Sequence, residues 1–262
     1  MIQVLTVYAF VFLFGAALGS FLNVCISRIP SGLSIVNPPS RCPGCGHRIA
    51  FYDNIPILSY LFLRGRCRGC GEHISLQYPL VEFVTALLIL FLFVRFGLTS
   101  HFGVTALLVL SLVVITFIDL EHQIIPDSIS LPGIIIGFAA SFLPGAAGWL
   151  SSLIGIVVGG GSLLLIATTY EKVTGKEGMG GGDVKLLAML GAFLGWKAVP
   201  FIIFTGSLVG SVIGISAMSI QKKGSDLKVP FGPFLAFGAI LYIFFGEEII
   251  AWYLTLGGAV GG

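Results

Sequence analysis

The chain has 262 residues, of which 56% are hydrophobic and 10% charged, with a formal net charge of +2 and a mean hydropathy of +1.03. Soluble domains carry roughly 25% charged residues, so this composition sets aside a soluble enzyme, a disordered chain and a nucleic-acid binder. The apolar runs are solid rather than alternating, which also sets aside a membrane β-barrel and leaves an all-α integral membrane protein.

Taken in order, the runs predict eight transmembrane helices, over about 4–25, 79–95, 102–118, 128–143, 149–169, 184–196, 198–219 and 231–256. The first lacks a basic leading segment and a small-residue cleavage site, so it reads as a retained helix rather than a signal peptide. The sixth is short for a span and is expected to tilt or to lie partly inside the bundle. Three parts follow: 1–25, the first helix; 26–78, the one sizeable piece outside the membrane; and 79–262, a seven-helix membrane domain. No internal repeat is evident, and 36 glycines suit close helix packing in lipid.

Of 14 Lys and Arg, 12 fall in three segments, Arg28 to Arg68, Lys172 to Lys185 and Lys222 to Lys228. These follow the first, fifth and seventh helices and so share one side of the membrane with the 119–127 loop, while Arg95 and Lys197 fall on the other. Basic loops stay in the cytoplasm, which places 26–78 and 119–127 there and both termini outside.

The 26–78 segment is too small for a generous core and needs a staple. It carries Cys42-Pro-Gly-Cys45 and Cys67-Arg-Gly-Cys70, two knuckles with glycine in and just after each turn. Such a pair aims four thiolates at one tetrahedral point, the signature of a structural zinc site, and reduced cytoplasmic thiols argue against disulfides. His47 and His73 are close enough in sequence to replace a cysteine ligand, or they are solvated loop residues. Cys25, in the apolar end of the first helix, reads as a buried small hydrophobe.

Two carboxylates stand at the predicted cytoplasmic boundary. Asp119 ends the third helix in Ile115-Thr-Phe-Ile-Asp119, and Asp183 opens the sixth after Gly180, Gly181 and Gly182. Ionisable groups at membrane depth are expensive and point to function. Brought together, two such groups share one proton, and the pair can activate water while protonating a carbonyl. Beside them, Asp127 follows Pro126 and precedes an apolar helix, an N-cap position. Glu121 and His122 read as solvated loop residues, and Glu82, after Pro79, suits the first turn of the second helix. The residues alone leave two chemistries open, a peptidase dyad and a proton- or cation-coupled transporter.

These motifs resemble the type IV prepilin peptidases, the leader peptidases of type IV pili and type II secretion. The resemblance rests on Gly180-Gly-Gly182-Asp183-Val-Lys185-Leu-Leu and on Asp119 with its downstream Ile125-Pro-Asp127. It extends to Gly19-Ser-Phe-Leu-Asn23, Tyr52-Asp-Asn-Ile-Pro56, Tyr78-Pro-Leu-Val-Glu82 and Pro230-Phe-Gly-Pro233. It implies a bacterial inner-membrane aspartic endopeptidase that cuts the basic leader from prepilins or pseudopilins after a glycine at the cytoplasmic face. Asp119 and Asp183 carry over as the catalytic pair, with Gly180, Gly182, Lys185 and Asp127 in support. It further implies that members with the cysteine-rich loop methylate the new N-terminal residue from S-adenosylmethionine, which would make 26–78 the methyltransferase part; the alternative is a peptidase alone. No local motif marks the methyl-donor site, for which Gly65 and Glu82 are the candidates. Substrate prepilin and membrane lipid are the expected partners, with no nucleic acid.

Overall fold

The computed structural model describes residues 2–175, 180–221 and 230–258. Lys176, Lys222, Lys223 and Lys228, counted above as orienting charges, lie outside the described residues. The described residues form helices α1 (Ile2–Arg28), α2 (Leu58–Phe62), α3 (Gln77–Phe96), α4 (Ser100–His122), α5 (Asp127–Ala140), α6 (Trp149–Thr174), α7 (Gly181–Leu194), α8 (Ala198–Gln221) and α9 (Gly232–Gly258), with a 3-10 turn at Phe51–Asn54. All eight apolar runs are helices, and α2 lies within the cysteine-bearing segment.

Six of them, α1, α3, α4, α6, α8 and α9, are long and apolar enough to cross a membrane. Large apolar side chains remain exposed along them, such as Phe10 on α1, Val157 and Leu165 on α6 and Phe204 on α8. An outside of this kind suits lipid and not water. The chain is a multi-pass, all-helical membrane protein. Helices α5 and α7 have 14 residues each; at 1.5 Å per residue they reach about 21 Å, short of the roughly 30 Å hydrocarbon core.

Two compact units divide the chain, residues 1–118 and 119–262, the boundary falling inside α4. In the first, α1 packs along α3 through Gly15 and Gly19, four residues apart on one face. A Cβ at Gly15 would sit 2.8 Å from the Ala86 Cα, and one at Gly19 would sit 2.6 Å from the Glu82 Cα. Small residues here let the two backbones touch, the usual basis of close helix pairing in lipid. Asn23 Nδ2 donates to the Tyr78 carbonyl at 3.1 Å, fixing the far end of the pair. Beyond it, the Arg28 guanidinium donates to the carbonyls of Ser34 (2.8 Å) and Pro38 (2.7 Å) and anchors the loop leading to the cysteines.

In the second unit α7 is the central helix, buried from Leu186 to Ala192 without a break. Gly155 of α6 and Gly191 of α7 bring their backbones into contact, and the Ser152 hydroxyl donates to the Ala192 carbonyl at 2.7 Å. On the other side, Gly133 and Gly137 of α5 seat Met189 and Phe193. A helix covered by neighbours in this way does not need to span lipid alone. Helices α8 and α9 pair through Gly206, against Phe234, and Gly238, against Thr205 and Ile202.

Candidate active site and thiolate cluster

Asp119 sits in the last turn of α4, 5% exposed. Helix α4 continues to His122, so Glu121 and His122 are helical rather than loop residues, though exposed as expected. The first N–H groups of a helix lack partners within it. That of Gly232, which opens α9, finds one outside: it donates to Asp119 Oδ2 at 3.0 Å. A side chain at Gly232 would meet this carboxylate, because a Cβ there would lie 2.6 Å from Oδ2.

Asp183 is the third residue of α7, whose N-cap is Gly180. Its Oδ1 is buried with no hydrogen-bond partner among the described residues. The two carboxylates lie within electrostatic reach of each other. Ile125 packs against the glycine next to each: a Cβ at Gly182, which precedes Asp183, would come 2.9 Å from the Ile125 Cβ, and one at Gly232, which donates to Asp119, would come 3.2 Å from its Cδ1. Of the three glycines before Asp183, only Gly182 is sterically required. The nearest atom to a Cβ at Gly180 is Asp183 Oδ2 at 3.8 Å, and Gly181 is open.

Two expectations change here. Asp127 is not an N-cap: Pro126 holds that position, no side chain caps α5, and Asp127 is its first residue. Its carboxylate instead accepts from Lys185 Nζ at 2.7 and 2.8 Å. Glu82 is not in the first turn of its helix either, because α3 begins at Gln77, two residues before Pro79; proline tolerates the first turn, so it did not mark the start. Gly232 and Ile125 were not singled out from the sequence. Their signals were the Pro230-Phe-Gly-Pro233 and Ile125-Pro-Asp127 runs, which carry no chemistry by themselves.

In the first unit the four sulfurs of Cys42, Cys45, Cys67 and Cys70 all lie within 4.8 Å of one another, and neither His47 nor His73 joins them. The knuckles repeat one turn. The N–H of Cys42 donates to the His47 carbonyl at 2.9 Å, and that of Cys67 to the Glu72 carbonyl at 2.8 Å. Gly46 and Gly71 close the turns at φ +69° and +74°, where glycine is favoured. Sγ pairs stand at 3.8 Å (Cys42–Cys70) and 4.0 Å (Cys45–Cys67). Four thiolates at about 2.3 Å from one tetrahedral ion are separated by about 3.8 Å, so the donors fit zinc. Backbone N–H groups of Cys70 and Gly69 directed at its sulfur bring the Cys67 thiol down to about 7, well towards the thiolate that binds metal. Arg68, in the second knuckle, clasps Asp53 of the 3-10 turn at 2.7 Å and holds the two halves of the module together.

Beneath the cluster lies a cavity of about 470 Å³, lined by the ends of α1 and α3 and by both knuckles. Glu82, 8% exposed, is on its wall, and its Oε2 accepts the Ile57 N–H at 2.7 Å. Gly65 is at φ +67°, and the place of its missing side chain is filled by Tyr60, whose hydroxyl would be 2.7 Å from a Cβ.

Residues 13–96 match the bacterial peptidase A24 N-terminal domain, and residues 106–215 match the type IV leader peptidase family. A prepilin leader peptidase/N-methyltransferase of Aeromonas hydrophila is 40% identical over 274 aligned positions, covering 95% of this chain and 94% of that protein. The protein of the same name from Pseudomonas aeruginosa is 39% identical, covering 94% and 93%. That from Myxococcus xanthus is 47% identical over 206 positions, 79% of this chain and 62% of its own length. No solved structure matches the chain.

Proposed function

The chain belongs to the type IV leader peptidase family, and we propose that it removes the basic leader of type IV prepilins or pseudopilins and then N-methylates the new N-terminal residue. The observation that carries the peptidase half is the meeting of Asp119 and Asp183 beside Gly232 and Ile125, from helices 64 residues apart by number (183 less 119).

The prepilin segment lies among the membrane helices with its scissile bond at this boundary. One carboxylate of the pair, ionised, takes a proton from water, whose oxygen attacks the carbonyl carbon. The other, protonated, gives its proton to the carbonyl oxygen, and collapse of the tetrahedral species releases the amine. Protons exchanged belong to the pair rather than to either residue. Gly232 holds Asp119 in place through its N–H, while Gly182 leaves room for Ile125 between the two helix starts.

Residues 26–78 form the methyltransferase part, stapled by zinc on Cys42, Cys45, Cys67 and Cys70. Four thiolates would close the coordination of such an ion and leave no open position for chemistry, so its role would be structural. S-adenosylmethionine, when bound, supplies a methyl group to the freed amine. The distribution of Lys and Arg supports an inner-membrane topology with 26–78 and the 119–127 turn on the cytoplasmic face, where both substrate leader and methyl donor are available.

The test is incubation of the purified protein with a prepilin and methyl-labelled S-adenosylmethionine, followed by mapping of the product's N-terminus. A product beginning after the leader glycine and carrying one labelled methyl is expected. An unprocessed prepilin sinks the peptidase assignment, and a cleaved but unlabelled product limits the protein to proteolysis.

A further inference from the structure

We propose that the cavity below the cysteine cluster is the methyl-donor site, with Glu82 as the carboxylate that receives the donor's positively charged sulfur; this rests on the methyltransferase half of the reading above.

Size comes first. A cavity of about 470 Å³ lies within the roughly 300–1,000 Å³ of small-molecule sites and suits a nucleoside carrying an amino-acid tail. Its chemistry is divided. Glu82 stands on the second turn of α3, where Gly19 brings α1 against its own Cα. Its carboxylate accepts from the Ile57 N–H at 2.7 Å. A carboxylate has about four lone-pair sites, so it can still accept more. No ion pair to Glu82 exists among the described residues. Burying an unpaired carboxylate is costly, and a cationic ligand removes that cost.

The backbone around it points the same way. Ile57 sits at φ +62°, a conformation that a β-branched residue adopts only when its surroundings impose it. The N–H of this same residue is the one that Glu82 accepts, at 2.7 Å. Strain of this kind concentrates at ligand sites. Arg41 and Arg48 also line the cavity, as does Arg68, which is paired with Asp53. Guanidinium groups match a ligand carboxylate. Tyr60 and Tyr78 add aromatic rings to the lining. A ligand with a cationic sulfur, a flat base and a free carboxylate meets all three features, and S-adenosylmethionine has them. Cys42 and Cys67 also line the cavity, so a zinc staple would hold one of its walls.

The experiment compares two ligands that differ by one methyl and one charge. S-adenosylmethionine and the neutral thioether S-adenosylhomocysteine are titrated calorimetrically into the full-length protein in detergent, with zinc content measured on each variant. Glu82→Gln keeps an acceptor for the Ile57 N–H and removes the charge. It should weaken S-adenosylmethionine by at least about tenfold and S-adenosylhomocysteine by less than about threefold, the size of a lost charged contact. Equal weakening of both ligands, or of neither, overturns the assignment to Glu82. Should that variant lose its zinc, Ser27→Trp decides. Ser27 lines the cavity and bonds only within its own helix, so a ring there fills the space without dismantling the wall. Loss of both ligands supports the site, and unchanged binding of both overturns it. Wild-type protein that cleaves prepilin but binds neither ligand and transfers no methyl overturns the methyltransferase reading itself, a result distinct from failure of the Glu82 variant alone.

Discussion

Lys185 donates through Nζ to both carboxylate oxygens of Asp127, at 2.7 and 2.8 Å, joining residues 58 apart. The pair fastens the start of α5 to the first turns of α7, two residues beyond Asp183. Between Asp119 and Asp127 runs the turn that carries Ile125 against Gly182 and Gly232. The pair therefore acts as a clamp on the geometry around the two aspartates, although both side chains are well exposed, 39% and 55%.

An exposed pair contributes only about 0.2–1 kcal/mol to stability, so Lys185→Ala and Asp127→Ala should leave the melting temperature nearly unchanged. Cleavage should nevertheless fall about three- to tenfold in each, because small displacements of reacting groups are costly. The exchanged double variant, Asp127→Lys with Lys185→Asp, should recover much of the loss. Singles with wild-type kcat/KM would show that the clamp does not position the site.

The aspartates themselves allow a sharper outcome. Asp119→Asn and Asp183→Asn each remove the group that carries or accepts a proton, and each should lower cleavage by at least about 10³-fold at equal protein level. Asp127→Asn should cost far less, since the amide still accepts from Lys185. Substantial turnover by either of the first two variants removes that residue from the chemistry.

Gly232 offers a test that leaves both carboxylates intact. A methyl group there would lie 2.6 Å from Asp119 Oδ2, closer than contact allows, so Gly232→Ala has to push the carboxylate away from the backbone N–H that holds it. A displacement near 1 Å costs about 10²-fold in rate. Cleavage should drop by that order, while methylation of a pre-cleaved pilin stays at the wild-type rate. Parallel loss of both reactions would mean that the substitution harms folding instead.

The division between what the sequence disclosed and what it did not follows the range of the forces involved. Burial of apolar surface in lipid is a local, periodic demand, and the eight helices stood out as runs with ends correct to within a few residues. Asp119 and Asp183 stood out because charge is rare in such runs. Cys42, Cys45, Cys67 and Cys70 did so because a tetrahedral ion dictates spacing. The Lys185–Asp127 clamp, the Gly232 N–H on Asp119 and the Ile57 N–H on Glu82 join residues 58, 113 and 25 apart. No periodicity encodes such pairs. Asp127 and Glu82 were consequently assigned to the nearest helix end, which is where an isolated acid is most easily accounted for.

The thiolate cluster predicts about one zinc per chain. Removing one ligand, as in Cys70→Ser, should release the metal and lower the melting temperature of the protein, since metal binding and folding of such a module are coupled. Zinc retention should also weaken as pH falls, because protons compete with the metal for all four thiolates. Metal analysis of the purified protein across pH 5–8 reads both effects. Zinc-free protein whose four thiols react freely under native conditions would remove the metal from the account.

The last prediction separates the two activities. Gly65 stands at φ +67° with Tyr60 packed where a side chain would be, 2.7 Å from its hydroxyl. Gly65→Ala therefore carries two penalties, an unfavourable backbone conformation and a collision with a ring that lines the cavity. Relief of the collision requires Tyr60 to shift, and Tyr60 lines the cavity assigned to the methyl donor. Gly65 and Tyr60 belong to the 1–118 unit, whereas Asp119, its partner Gly232 and Asp183 belong to the 119–262 unit. Methyl transfer should thus fall by at least about tenfold while cleavage changes by less than about twofold, the former being the scale of one lost packing or hydrogen-bond contact in a small-molecule site. Cys67→Ser, which loosens the same wall through the metal, should follow the same pattern with a larger loss of stability. If Gly65→Ala and Cys67→Ser depress both reactions equally, the 26–78 segment serves substrate binding or folding as a whole, and its assignment to methyl transfer is wrong.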